Sequence, residues 1–81
     1  MRTKKESAQN REARQAAIVA ACRFRQTLKL EDLEAFRVAA EYWRETAADE
    51  NDEEEWNNAK KYTRLAYQFT NYAARKATTT N

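Results

Sequence analysis

The sequence predicts an all-α protein, and the simplest arrangement is a three-helix up-down-up bundle. Apolar residues recur every three or four positions in three successive segments, which is the period of a helix with one buried face. Ala, Glu, Lys, Arg and Gln dominate the background, and all five favour helix. The 81 residues include neither Gly nor Pro. Breaks in the apolar period and in the charge pattern must therefore mark the turns.

The first helix is predicted over residues 7–28. Its apolar stripe is spaced by 4, 3 and 4 residues and consists of Ala17, Ala21, Phe24 and Leu28. The next step, from Leu28 to Leu33, is five residues and falls about 140° out of phase, which indicates a turn near residues 27–30. With Lys29 as the N-cap of the next helix, Leu28 and Leu33 would form a hydrophobic staple across this turn.

The second and third helices are predicted over residues 30–48 and 52–77. The second carries a continuous heptad seam of Leu33, Phe36, Ala40, Trp43 and Ala47. An acidic run ends it, because neighbouring carboxylates repel one another within a helix. Asp52 is the predicted N-cap of the third helix, with Glu55 completing a capping box. The apolar face of the third helix contains Tyr62, Leu65, Phe69 and Tyr72, flanked by Ala59, Ala66 and Ala73.

These helices form one predicted domain, between a flexible basic arm at residues 1–6 and a disordered tail at residues 78–81. Only ten residues, about 12%, are Leu, Ile, Val or Phe, whereas 16 are Ala. A core so poor in large side chains stabilises a small domain weakly. The alternative architecture is therefore a helical hairpin completed by self-association, and we expect a homodimer or higher oligomer.

The composition argues against an enzyme. The chain has no His, one Ser and one Cys, and it lacks the Gly-rich turns that cradle phosphates. We expect no cofactor and no metal, because an EF-hand beginning at Asp49 would need Gly and Glu where Glu54 and Lys60 stand. No apolar run could span a bilayer and no signal peptide is recognisable, so we expect a cytoplasmic protein without membrane contact.

Charge is segregated into three blocks along the chain. Residues 1–29 carry a net charge of +6, residues 30–55 carry −9 and residues 56–81 carry +5. The simpler interpretation is that neighbouring helices neutralise one another. The alternative is that one block is a surface for a charged partner.

Several surfaces are candidates for such a partner. The first is a stripe on the third helix, with Lys60, Arg64, Tyr67, Asn71 and Arg75 at spacings of 4, 3, 4 and 4. The second lies on the first helix and mixes cations with apolar residues: Arg11, Arg14, Ile18, Cys22 and Arg25. The basic arm adds Arg2, Lys4 and Lys5. The acidic block could mimic phosphates or dock on a basic protein, through Asp49, Glu50, Asp52, Glu53, Glu54 and Glu55.

Other single residues have a simpler expected role. Trp43 and Trp56 should lie in the core, because large aromatic side chains supply most of the available burial. Tyr42 and Tyr67 lie off the apolar seams and are better interface candidates. We expect Cys22 to be a small buried residue.

The sequence thus predicts a small non-enzymatic helical interaction protein that regulates or inhibits another macromolecule by occupying its surface. Such loop-poor chains are common among phage and plasmid accessory factors. We expect a protein partner. The alternative is a nucleic-acid-binding regulator that uses the basic arm and the stripe on the third helix.

Overall fold

The computed structural model describes residues 8–79, with side chains described for residues 8–76. The helices are α1 (Ala8–Thr27), α2 (Leu30–Asp49) and α3 (Glu53–Thr79). They form a three-helix bundle, which confirms the predicted fold class. The helix α3 runs two residues past the predicted end. Extending an existing helix is favourable, because each residue that is added gains one hydrogen bond. The predicted arm at residues 1–6 and the tail residues 80–81 lie outside the described part.

Both α1 and α3 pack along α2 in antiparallel fashion. Phe24, near the end of α1, shares a buried cluster with Leu33 at the start of α2. Ala13, near the start of α1, shares a second cluster with Trp43 near the end of α2. The same two clusters contain Ala66 and Ala59 of α3, in the reverse order along α2. The chain therefore runs up, down and up, as predicted.

The interior consists mainly of alanine. Ala17, Ala40, Ala47, Ala59 and Ala66 are all completely buried. Methyl side chains allow helix axes to approach closely, but each contributes little apolar burial. The few large buried side chains are Phe24, Leu33, Phe36 and Trp43. The predicted seam of α2 is confirmed, because all five of its residues are buried.

The apolar face of α3 is rotated relative to the prediction, whereas that of α1 differs only at its end. On α1, Ala17 and Phe24 are buried and Ala21 packs against the core, as predicted, but Leu28 follows the end of the helix and is 71% exposed. On α3 the buried positions are Ala59, Thr63 and Ala66, whereas three of the large predicted core residues are exposed: Leu65, Phe69 and Tyr72. The small residues face α2 because they permit the closer approach.

Two residues with positive φ replace glycine in the turns. Leu28 has φ 56° and its N–H donates to the carbonyl of Phe24, a single-bond αL motif that ends α1. Asn51 also has φ 56° and donates to Ala48, while Asp52 N–H donates to Ala47. These two bonds form a Schellman motif at the end of α2. Asn tolerates this conformation better than Leu does.

The helix starts agree with the predicted caps. Lys29 is the N-cap of α2, but its side chain makes no capping hydrogen bond. The Asp52 carboxylate accepts a hydrogen bond of 3.1 Å from the Glu55 N–H at the start of α3. The predicted capping box is wrong in its second hydrogen bond, in which the Glu55 carboxylate would accept from the Asp52 N–H. The Glu55 carboxylate instead binds Trp43 and Arg14, and the Asp52 N–H is taken by the Schellman motif.

Candidate interaction surfaces

The predicted stripe on α3 is exposed along its length. Its members are Lys60, Arg64, Tyr67, Asn71 and Arg75. Tyr67, at the centre, is 41% exposed and donates its hydroxyl hydrogen to Glu41 of α2. The Arg37 guanidinium lies over the Tyr67 ring, 6.0 Å from its centroid. We call the stripe together with Glu34, Arg37 and Glu41 the Tyr67 surface.

The Tyr67 surface carries charges of both signs, alternating on α2 and positive on α3. Arg37 forms ion pairs with Glu34 and with Glu41, the latter at 3.3 Å. The hydrogen bond to Glu34 and then the one to Tyr67 raise the pKa of Arg37 above its ordinary value. Arg37 therefore stays charged, and two carboxylates of α2 border the cations of α3. Sequence reasoning missed these α2 residues, because their position beside Tyr67 depends on the register between the helices.

The remaining cations predicted at the interface lie elsewhere. Arg11 and Arg25 are exposed on α1, which packs against α2 and is not part of the Tyr67 surface. Arg14 is half-buried and forms an ion pair of 2.6 Å with Glu55. Tyr42 is 55% exposed, but it lies five residues and about 140° around α2 from Arg37. The structure therefore distributes the predicted residues over separate faces.

Part of the acidic block has a structural role. Asp52 caps α3, and Glu55 accepts hydrogen bonds from the indole N–H of Trp43 at 2.9 Å and from Arg14. Glu53, Glu54 and Glu55 occupy the first turn of α3, where the helix dipole favours anions. The Arg14 and Glu55 pair also joins the basic first block to the acidic second block, as the neutralisation hypothesis expects. The exposed members of the block are Asp49, Glu50, Glu53 and Glu54.

Three predictions about single residues have mixed outcomes. Trp43 is 2% exposed and lies in the core, as predicted. Trp56 is only half-buried, and the Lys60 ammonium lies 5.0 Å from its ring centroid. The burial predicted for Cys22 is wrong. Cys22 is five residues from buried Ala17, so it points about 140° away from the buried line of α1.

An exposed apolar strip on α3 was not predicted as a surface. It consists of Leu65, Phe69 and Tyr72, which are 43%, 40% and 56% exposed, and we call it the α3 strip. Phe69 and Tyr72 line a groove of about 430 Å³ together with Phe24, Leu28 and Leu30. The Phe24 and Phe69 rings meet edge to face, with centroids 5.3 Å apart. Ala59, Ala66 and Ala73 recur every seven residues beside the strip. This spacing was the signal in the sequence that alanines, rather than the larger apolar residues, could face α2.

The other grooves are also open to solvent. One of them, of about 520 Å³, lies between the end of α2 and Trp56. Among the described side chains, no group of three or more His, Cys, Asp or Glu residues could hold a metal ion. Within residues 8–79, no helix has the length and apolarity needed to cross a membrane.

Comparison with known proteins gives no family or relative for the chain. No family model, curated protein or solved structure matches it.

Proposed function

We propose that the protein is a small non-enzymatic helical interaction protein that regulates or inhibits a protein partner by occupying its surface. The Tyr67 surface is the proposed contact. The observation that supports this choice is the arrangement at its centre, where exposed Tyr67 contacts both the Arg37 guanidinium and the Glu41 carboxylate. Tyr and Arg are the residue types that are enriched at the energetic centres of protein interfaces.

The position of the carboxylates favours a protein over a nucleic acid. Glu34 and Glu41 lie on the α2 side of the stripe and would repel a phosphate backbone drawn to Arg64. A protein surface can present cations to Glu34 and carboxylates to Arg64 at the same time. We therefore expect a partner with charges of both signs around an apolar contact for the Tyr67 ring.

The ordered state of Tyr67 also suits recognition. Its hydroxyl and its ring are both held by α2, so little side-chain freedom remains to be lost on binding. The proposal includes a cytoplasmic location, which is inferred from the sequence alone.

The test compares two double variants of the full chain. Arg64→Glu with Tyr67→Ala alters the Tyr67 surface, whereas Arg23→Glu with Tyr42→Ala makes the same changes on exposed positions of α1 and α2. Tagged wild type and both variants are used for capture from a lysate of the native host, with helicity checked by circular dichroism. A protein retained by wild type and the second variant, but lost with the first, supports the proposal. Retention of that protein by the folded first variant contradicts it.

A parallel measurement addresses the nucleic-acid alternative. Wild-type protein is titrated into duplex DNA and single-stranded RNA at low and at moderate salt, and their electrophoretic mobility is followed. Phosphate binding would weaken steeply with salt, with a logarithmic slope of about −0.9 for each phosphate neutralised on duplex DNA. A salt-sensitive shift that the Arg64→Glu variant abolishes would favour the alternative over the protein partner.

A further inference from the structure

We propose that two copies of the chain pair through α3, antiparallel, with Leu65 at the two-fold axis. The inference uses the α3 strip and does not depend on the Tyr67 surface. We assign a second copy of the chain as the partner of the strip, because a two-fold axis brings charged residues of opposite sign together at the two ends of the strip.

The strip has the composition of a helix-pairing face. Leu65, Phe69 and Tyr72 follow one another at spacings of four and three residues on a flank of α3, where Leu65 lies about 100° around the helix from buried Ala66. Each is at least 40% exposed, although the chain contains few large apolar residues. Buried alanines hold α3 against α2, so these larger side chains are not needed to close that contact.

The charges at the ends of the strip are placed symmetrically about Leu65. Glu54 precedes Leu65 by eleven residues, and Lys76 follows it by eleven. Eleven residues make about three helical turns, so all three side chains lie within about 40° on one face of α3. Glu54 and Lys76 are both exposed. Each lies about 16 Å along the helix axis from Leu65.

A two-fold axis through Leu65 brings these opposite charges together. Antiparallel pairing places Glu54 of each copy opposite Lys76 of the other, so the ion pair forms twice. In the same register Asn58 lies opposite Tyr72, and Lys61 lies opposite Phe69. An amide can bond a phenol, and an ammonium can lie over an aromatic face. A parallel pair would instead bring Glu54 against Glu54 and Lys76 against Lys76, and like charges disfavour it.

The pairing leaves the Tyr67 surface accessible. Tyr67 lies two residues from Leu65, about 160° away around α3, so the dimer would present two Tyr67 surfaces on its outside. The symmetry is isologous and closed, which limits assembly to two copies.

The experiment is sedimentation equilibrium on the full chain from micromolar to millimolar concentration. Wild type should show a monomer–dimer equilibrium. Leu65→Glu should weaken dimerisation at least a hundredfold, because the carboxylate meets its own copy at the axis. Val38→Glu, at an exposed position of α2, is the matched control and should dimerise as wild type does. A wild type that stays monomeric at millimolar concentration, or equal effects of the two substitutions, overturns the proposal.

Charge reversal tests the antiparallel register. Glu54→Lys or Lys76→Glu alone should weaken dimerisation about tenfold, because each puts two like-charged pairs into the dimer. An equimolar mixture of these two variants should recover wild-type affinity as a heterodimer, in which every pair is again of opposite charge. Glu53→Lys makes the same charge change one residue away, about 100° around the helix, and should have no effect. A mixture that fails to recover overturns the register.

Partner binding at the Tyr67 surface and dimerisation through the α3 strip can be contradicted independently of each other. A folded Leu65→Glu monomer keeps the Tyr67 surface, so it should still capture the protein partner. The Arg64→Glu, Tyr67→Ala variant keeps the α3 strip and should still dimerise.

Discussion

The indole N–H of Trp43 donates a hydrogen bond of 2.9 Å to the carboxylate of Glu55, twelve residues further along the chain. The other oxygen of that carboxylate accepts from Arg14 at 2.6 Å. Glu55 thus connects all three helices at the end of the bundle where α2 turns into α3. The carboxylate is well shielded, with 12% of the side chain exposed.

Glu55→Gln should lower the free energy of unfolding by about 1.5 kcal/mol, because hydrogen bonds to a charged group contribute more than neutral ones. The amide can keep the bond to Trp43, but it removes the negative partner of Arg14. Urea denaturation followed by tryptophan fluorescence measures the change. Glu53→Gln, an exposed neighbour in the same helical turn, should change stability by less than about 0.5 kcal/mol. Equal losses in the two variants would show that helix-dipole stabilisation, rather than the contacts of Glu55, is responsible.

Ala17→Leu should destabilise the bundle by about 1–3 kcal/mol, because Ala17 is completely buried against α2 and the larger side chain would push the helices apart. The adjacent Ala16→Leu adds the same side chain at an exposed position and should be close to neutral. Thermal unfolding by circular dichroism compares the two. A neutral Ala17→Leu would mean that α1 is not held against α2 at this position.

Leu28→Gly should stabilise the protein by about 0.5–1 kcal/mol. Leu28 has φ 56°, a conformation that is unfavourable for a residue with a Cβ atom, and it loses little burial because it is 71% exposed. In the last turn of α1, Gln26→Gly should destabilise, since Gln26 is an exposed helical residue and glycine has a lower helix propensity. Chemical denaturation of both variants is the measurement, and a stability loss on Leu28→Gly would contradict the strain argument.

Lys29→Ser should stabilise by about 1 kcal/mol, and the melting temperature should rise by about 4–8 °C. Lys29 is the N-cap of α2, yet its side chain makes no capping hydrogen bond, whereas a Ser hydroxyl can accept one from the first turn. Lys29→Ala removes the same charge without adding an acceptor. If Ala stabilises as much as Ser, charge rather than capping is the cause.

The buried residues of a helix could be predicted from the sequence only where its apolar face is narrow. In α2 the large side chains Leu33, Phe36 and Trp43 share one heptad seam, so the period identified the buried residues correctly. In α3 alanine and large apolar residues stand side by side. The period alone could not decide whether Ala66 or Leu65 faces α2, because the answer depends on how closely the two helices approach.

The candidate surfaces were predictable only within single helices. Spacing along α3 was sufficient to predict that Lys60, Arg64 and Tyr67 share one exposed face. The contacts of Tyr67 with Arg37 and Glu41 link residues 26 and 30 positions apart, and they depend on the relative register of α2 and α3. Glu55 was assigned a local capping role because a sequence pattern cannot show that Trp43 and Arg14 compete for the same carboxylate.

The packing of both α1 and α3 on α2 has a kinetic consequence. Nearly all backbone neighbours belong to helices that are adjacent in the sequence, so the tertiary pairings close only short loops. Chains with such low contact order fold on timescales of microseconds to milliseconds. Rapid-mixing or temperature-jump relaxation should therefore find this chain among the fast folders, with each helical hairpin assembling from its own local nucleus.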